Sequence, residues 1–328
     1  MISDIMIEPK SLNEILEKFK NQKIAVIGDV MLDRYIFGNV ERICPEAPVP
    51  IIDLERVETR AGGAANVAMN LKSLGCSVDM FSIVGNDDDG LMLKDILNKS
   101  DIDTKNLHCH TSRRTTIKTR IIAHNQQMLR VDTEDRDDID NLSEELLMKN
   151  LKDYNVIVVS DYSKGVITKR LMYHLNHLKG CKIIVDPKKN FERYEFCDVI
   201  TPNVKELELA TGMSCKNTTE IIAAAKELRK HVAEIVLVTR GESGMTLVSE
   251  LEIITIPTYA RQVFDVTGAG DTVVATFSLA VASGATYTQA TIIANIAAGI
   301  VVGQVGTSTT TIDGIKDEYD AILRHSSK

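Results

Sequence analysis

The stretch TGAGD (267–271) joins two chemistries. Gly268, Ala269 and Gly270 carry almost no side chain and leave backbone N–H groups open to an anion, while Asp271 adds a carboxylate that can take a proton. The apolar run TVVATFSLAVASG follows, so the small residues open a helix. Free amides and roughly half a positive charge make that place attractive to phosphate. A Gly-rich turn whose aspartate caps the helix would read the same in isolation. The stretch is not GxGxxG and no GKT or GKS follows, which sets aside the dinucleotide fingerprint and the Walker loop.

Two other stretches complement it. GDVMLD (28–33) puts Asp29 and Asp33 after an apolar run, and RAGGAAN (60–66) supplies the pair Gly62 and Gly63 with Asn66 in the first turn of a helix. A polyhydroxylated ligand needs carboxylate and amide acceptors, and a backbone that comes close needs glycine. Asp33 reads equally as a helix cap. Taken with TGAGD, these residues point to a sugar beside a phosphate site. Near the middle of the chain, RRTTIKTRIIAHNQQMLRVD (113–132) alternates so that Thr116, Lys118 and Arg120 share one face. That face suits a substrate anion, with Arg113, Arg114 and Arg130 in reserve, or it simply solubilises an exposed strand.

The elements that must hold these groups read as an α/β fold. KIAVIGD (23–29), VDMFSIVG (78–85), VIVVSD (156–161), KIIVDP (182–187), VITPN (199–203) and EIVLVTRG (234–241) are continuous apolar runs, as expected of strands covered on both faces. Helical patterns separate them, so a doubly wound, mostly parallel sheet flanked by helices is predicted. Ligands in such sheets sit beyond the carboxyl ends of the strands. Here those ends carry Asp29, Gly85, Asp161, Asp186, Asn203 and Gly241. Segments 49–60 and 113–132 break the rhythm and read as extended strands of a small β lid on a single domain spanning 1–328. A short amphipathic helix is expected over 11–20. The stretch 272–312, free of Asp, Glu, Lys and Arg, reads as two buried helices rather than a membrane span.

A formal net charge of −8 argues against nucleic acid or an anionic membrane as partner, so any anionic ligand must be caught locally. The six cysteines show no CxxC pair, and the N-terminus lacks a basic stretch followed by an apolar run. Both observations predict a cytoplasmic protein. His108, Cys109 and His110, and the pair His174 and His177, are weak candidates for metal ligands because no second pair at ligand spacing accompanies them.

The combination GDVMLD, AGGAANVAMNLKSLG, DPKK, TPNVKE, TRGESGM and DVTGAGDTVVA resembles the PfkB (ribokinase-like) carbohydrate kinase family, in the family's order and over nearly the whole chain. ERICPEAPVPIID, SDYSKGVIT, HNQQMLRVD and VVGQVGTST are similar to the family's bacterial branch acting on D-glycero-β-D-manno-heptose 7-phosphate. The resemblance implies ATP-dependent phosphorylation of the anomeric C1 hydroxyl to the 1,7-bisphosphate used for the lipopolysaccharide core. Asp271 becomes the base and the amides of Gly268, Ala269 and Gly270 the anion hole. Asn203 and Glu206 become the NxxE element that organises Mg²⁺ and phosphates through water. ATP is implied along Lys188, Thr239, Gly241 and Gly244 on one side and Asn295 and Ser308 on the other. Asp29, Asp33, Gly62, Gly63 and Asn66 are implied to hold the sugar, and Lys118 and Arg120 its remote phosphate.

The resemblance also implies a homodimer through the lid strands and leaves open a K⁺ ion near TGAGD and GTST. Cys44 and the pair Ala123-His124 depart from the pattern of that branch, the second leaving open whether that turn touches phosphate. A kinase for another sugar, or a silent sugar- or nucleotide-binding regulator on the same fold, remains the alternative; the presence of Asp271, Asn203 and Glu206 disfavours the regulator. No HxGH motif occurs, so adenylyl transfer is not expected of this polypeptide.

Overall fold

The computed structural model describes residues 6–124, 126–259, 265–304 and 308–326. The N-terminal helix α1 (Pro9–Glu17) begins two residues before the predicted start, with proline in its first turn, where a missing N–H costs nothing. Strand β1 (Lys23–Gly28) then enters the centre of the molecule. The chain continues without a turn into β2 (Val30–Ile43), returns as β3 (Pro50–Gly63), and passes directly into α2 (Ala64–Ser73). Next come β4 (Ser77–Gly85), α3 (Asp88–Lys99), β5 (Leu107–His110), β6 (Ile117–Ala123), β7 (Gln126–Thr133), α4 (Asn141–Leu147), β8 (Val156–Ser160), α5 (Lys169–Asn176) and β9 (Lys182–Asp186). The remainder is β10 (Cys197–Ile200), α6 (Val204–Thr211), α7 (Thr218–Arg229), β11 (Ala233–Thr239), β12 (Met245–Val248), β13 (Ile253–Ile256), α8 (Ala269–Ala282), α9 (Tyr287–Val301) and α10 (Ile312–Ser326).

Nine strands form the main sheet in the order β13-β12-β11-β10-β9-β8-β1-β4-β5. From β11 to β5 all neighbours run parallel, and only β12 and β13 are antiparallel. The continuous apolar runs are explained by two cores, one on each face. In β1, Ile24 and Val26 join Val67 of α2, Phe277 of α8 and Ile293 of α9, whereas Ala25 and Ile27 join Leu147 of α4, Leu171 of α5 and Ala224 of α7. Period-two alternation thus sends β1 into both cores. Helices α8 and α9 account for the charge-free stretch, and among the described residues no helix is long and apolar enough to cross a membrane.

The order reverses between β1 and β8, since the chain moves from β1 towards β4 and β5 and only later fills the other side. A crevice opens at such a switch point. The second sheet, β3-β2-β6-β7, stands over it. It contains β2, which the apolar pattern does not reveal: the strand follows β1 with nothing between them but Asp29, so no turn residue marks the change of sheet. Strand β2 pairs antiparallel with β3 and parallel with β6, placing Asp33 opposite both Arg60 and Lys118.

Candidate active site

The carboxyl ends of the main-sheet strands line one cleft. Asp161 follows β8, Asp186 ends β9, Thr201 and Asn203 follow β10, and Thr239 ends β11; Lys188, Glu206, Gly268, Gly270 and Asp271 complete the wall. Helix α8 starts here. Gly268 has φ +80°, a left-handed conformation that turns the chain into the helix and suits glycine. A Cβ on Gly270 would meet nothing within 4 Å, so the space beside its backbone is open. The Ala269 N–H donates to the Val266 carbonyl at 3.2 Å. Gly268 and Gly270, but not Ala269, line the cleft, which narrows the implied anion hole to the two glycines.

Asp271 is buried in the first turn of α8. Its Oδ2 accepts from the Asn66 side-chain amide at 2.7 Å and its Oδ1 from the Tyr162 hydroxyl at 2.6 Å. Burial pushes its carboxyl up to about 6; the two hydrogen bonds and Lys118 pull down, and Asp33 pushes up. The acid is therefore ionised at neutral pH yet much more basic than an ordinary aspartate.

Across the crevice, the lid sheet presents Asp33. Its Oδ1 accepts from Arg120 at 2.5 Å, a buried pair. Gly62 makes room for it, since a Cβ there would lie 2.1 Å from Asp33 Oδ2. Gly63 has φ +59° and caps α2. The Lys118 ammonium stands 5.4 Å from the Tyr162 ring centre, and burial lowers its pKa against the pull of Asp33.

Elsewhere in the cleft wall the NxxE pair forms a capping box: Asn203 Oδ1 accepts from the Glu206 N–H at 3.0 Å, and Glu206 Oε2 accepts from the Asn203 N–H at 3.0 Å. Glu206 Oε1 accepts from Lys188 Nζ at 2.8 Å. Lys188 is raised: burial pulls it down, but Glu206, Asp186 and Asp271 outweigh it. Asp186 is pushed well above the usual carboxylate range by burial and by the charges of Asp271 and Glu206. Asp186, Glu206 and Asp271 all act on one lysine, and oxygen donors of this kind suit a hard cation. Among the described residues, no cluster of three or more His, Cys, Asp or Glu side chains could hold a metal by itself. The oxygen donors of Asp186, Asn203 and Glu206 fit a divalent cation such as Mg²⁺.

Several expected site residues are occupied otherwise. Asp29 accepts from the backbone N–H groups of Tyr162 at 2.8 Å, Lys164 at 3.0 Å and Val166 at 3.0 Å, so it anchors the loop after β8 rather than facing a sugar. The Asn66 amide nitrogen goes to Asp271. The Asn295 amide donates to the Pro257 carbonyl at 2.6 Å, and Gly244 holds a turn at φ +82° where a Cβ would strike the Ile256 carbonyl. Gly241, also at a positive φ of +59°, and the half-buried Ser308 stand outside the cleft wall. Asn125 of HNQQ and residues 305–307 of the GTST region lie outside the described residues. Of the reserve cations, Arg113 donates to the carbonyls of Asp137, Asp135 and Lys164, Arg114 pairs with Asp135, and Arg130 pairs with Asp132. His110 pairs with Asp140 at 3.2 Å, and the His177 ring contacts the Tyr173 carbonyl.

Sequence reasoning misses Tyr162 as a site residue and marks Asp161 and Asp186 only as rim groups. Asp161 accepts from the Tyr194 hydroxyl and from the Ser163 N–H at 2.5 Å, and burial beside Asp29 raises it. Strand-end carboxylates are the available signal for both.

With this geometry in view, the comparisons with known proteins decide the family. The model of the pfkB family carbohydrate kinases matches residues 21–313. The chain belongs to that family. As a PfkB protein it is an ATP-dependent carbohydrate kinase. It is 41% identical over 307 residues to the Bifunctional protein HldE of a Nitratiruptor species, covering 92% of this chain and 66% of that protein. It is 43% identical over 296 residues to the Bifunctional protein HldE of Geobacter sulfurreducens, covering 87% and 60%. The chain thus spans about two thirds of the length of the curated relatives it matches. Among solved PfkB-type folds, ribokinase of Arabidopsis thaliana complexed with ribose and ATP superposes with a TM-score of 0.75 at 20% identity, covering 91% of this chain and 98% of that one. Phosphofructokinase-2 of Escherichia coli in complex with potassium gives 0.77 at 18%, covering 92% and 99%. At such identity these two show the shared fold alone.

Proposed function

We propose that this PfkB kinase transfers the γ-phosphoryl group of ATP to the anomeric C1 hydroxyl of D-glycero-β-D-manno-heptose 7-phosphate. The observation that carries the reaction is the buried Asp271 carboxylate, pushed up to about 6, between the glycine amides of α8 and the Asp33–Arg120 pair of the lid. The acceptor rests on the likeness to the HldE proteins and on the lid's cationic Lys118 and Arg120.

Asp271 takes the proton of the C1 hydroxyl as its oxygen forms a bond to the γ-phosphorus; the bond to the β-phosphate oxygen breaks and ADP leaves. The Gly268 and Gly270 amides stabilise charge on the group in flight, where positioning and electrostatics do most of the catalysis. Asp33 orients sugar hydroxyls, with Gly62 and Gly63 allowing the close approach. Lys188 and Thr239 take the phosphates on the nucleotide side. Asn203, Glu206 and Asp186 would hold Mg²⁺ bound with ATP, which would supply charge neutralisation. We further infer a homodimer through the lid, whose outer strands β3 and β7 expose Leu54, Val57, Leu129 and Val131. Edges of this kind invite pairing.

A coupled ADP-release assay across a panel of sugars and sugar phosphates, including both anomers of the heptose 7-phosphate, tests the acceptor. The β-anomer of the heptose 7-phosphate is expected to give the highest kcat/KM. Better turnover of ribose, fructose or a fructose phosphate would refute that assignment.

A further inference from the structure

Tyr162 lies in the loop after β8, within SDYSKGVIT and 109 residues before Asp271, and the resemblance gives that stretch no role in the reaction. Its hydroxyl donates to Asp271 Oδ1 at 2.6 Å, and its own backbone N–H donates to Asp29 Oδ2 at 2.8 Å. Lys164 and Val166 bind the same Asp29 carboxylate at 3.0 Å each, so this short loop is fixed to the end of β1 by three backbone hydrogen bonds. The phenol is thus held at both ends, by a rigid loop and by the carboxylate it meets.

We infer that Tyr162 is a positioning residue for the kinase reaction: with Asn66 it grips the Asp271 carboxylate from the two sides and aims its remaining lone pairs into the cleft. A carboxylate offers about four acceptor sites, and Tyr162 and Asn66 use one on each oxygen, leaving the base able to accept a substrate proton. Two donors also fix the plane of the carboxylate, which a single donor does not. The ring carries a second relation. Lys118 of the lid sits over it at 5.4 Å, so the same side chain touches the base on one edge and a lid cation on its face.

A donor to Asp271 favours the ionised form. Taking it away leaves burial and the Asp33 charge less opposed, raises the acid's pKa and shrinks the fraction ionised at a given pH. The inference rests on Asp271 being the base, and two variants separate the two ideas. Asp271→Asn is expected to abolish turnover. Tyr162→Phe is expected to fold, keep its KM for sugar phosphate and ATP, lose roughly tenfold in kcat, and move the acidic limb of its kcat/KM profile up by roughly one pH unit. Site-specific 3-fluorotyrosine at 162, a more acidic phenol and stronger donor in an unchanged frame, should move that limb down.

If Asp271→Asn turns over as fast as the unmodified enzyme, the base assignment falls and this inference with it. If Asp271→Asn is inactive while the acidic limb stays put in both Tyr162 variants, the positioning role alone is overturned. Should the phenylalanine variant fail to fold, the position of the limb in the fluorotyrosine enzyme still separates these outcomes.

Discussion

Replacing Asp271 with asparagine should make the protein more stable while removing its activity, and the gain should depend on pH. Burial raises the carboxyl from the ordinary 3.8 to about 6 in the folded protein. A raised folded-state value means that folding disfavours the ionised form. The penalty is absent below pH 3.8, grows between 3.8 and 6, and is constant above. At about 1.4 kcal/mol per pH unit between the two values, it reaches roughly 3 kcal/mol at pH 8 and about half that at pH 5. Asp271→Asn removes the titrating group, so the variant escapes the whole penalty, less whatever its amide loses in rearranging the bonds to Asn66 and Tyr162. That rearrangement is pH-independent, so the difference in stability between the two proteins should widen by about 1.5 kcal/mol from pH 5 to pH 8. Urea unfolding followed by circular dichroism at both pH values measures it, provided that m is the same for both proteins. A stability difference unchanged between pH 5 and pH 8 would refute the reasoning, because it would mean that Asp271 titrates alike in the folded and unfolded chain.

Two other perturbations probe the lid. Gly62→Ala places a methyl group 2.1 Å from Asp33 Oδ2, and the buried pair with Arg120 prevents that carboxylate from simply swinging away; steady-state kinetics should show the sugar-phosphate KM rising at least roughly tenfold with the ATP KM unchanged. Two charges on the outer lid, Leu129→Glu with Val131→Glu, should convert the proposed dimer to a monomer in light scattering without altering the melting temperature by more than a few degrees. A native protein that is already monomeric at micromolar concentration would end the dimer reading.

How much of this is legible in the sequence differs by kind of interaction. Strands such as VIVVS and KIIVD betray themselves because burial on both faces demands a continuous apolar run. The helix start at TGAGD and the Asn203–Glu206 box are equally local, since a helix end must find partners for its free N–H groups within a few residues. Strand β2 is hidden because a chain can change sheets without a turn. Short β5, with two histidines in four residues, has too few apolar positions to set a period. The fate of Asp29 and the role of Tyr162 lie on contacts 109 to 137 residues apart, which no spacing along the chain announces. A carboxylate at a strand end reads the same whether it faces a ligand or a neighbouring loop.

The hairpin formed by β2 and β3 leaves the main sheet after Asp29 and passes into α2 at Ala64, whose N–H donates to the Asp29 carbonyl at 3.0 Å. The two ends of a long excursion are therefore one hydrogen bond apart, and Arg34 ties the hairpin to α3 through Asp89. Such an arrangement lets the far end of the lid hairpin change in length while β1 and α2 stay where they are. The latitude stops at Gly63, where a φ of +59° and a Cβ position 2.4 Å from the Asp29 carbonyl admit no other residue without moving the junction itself.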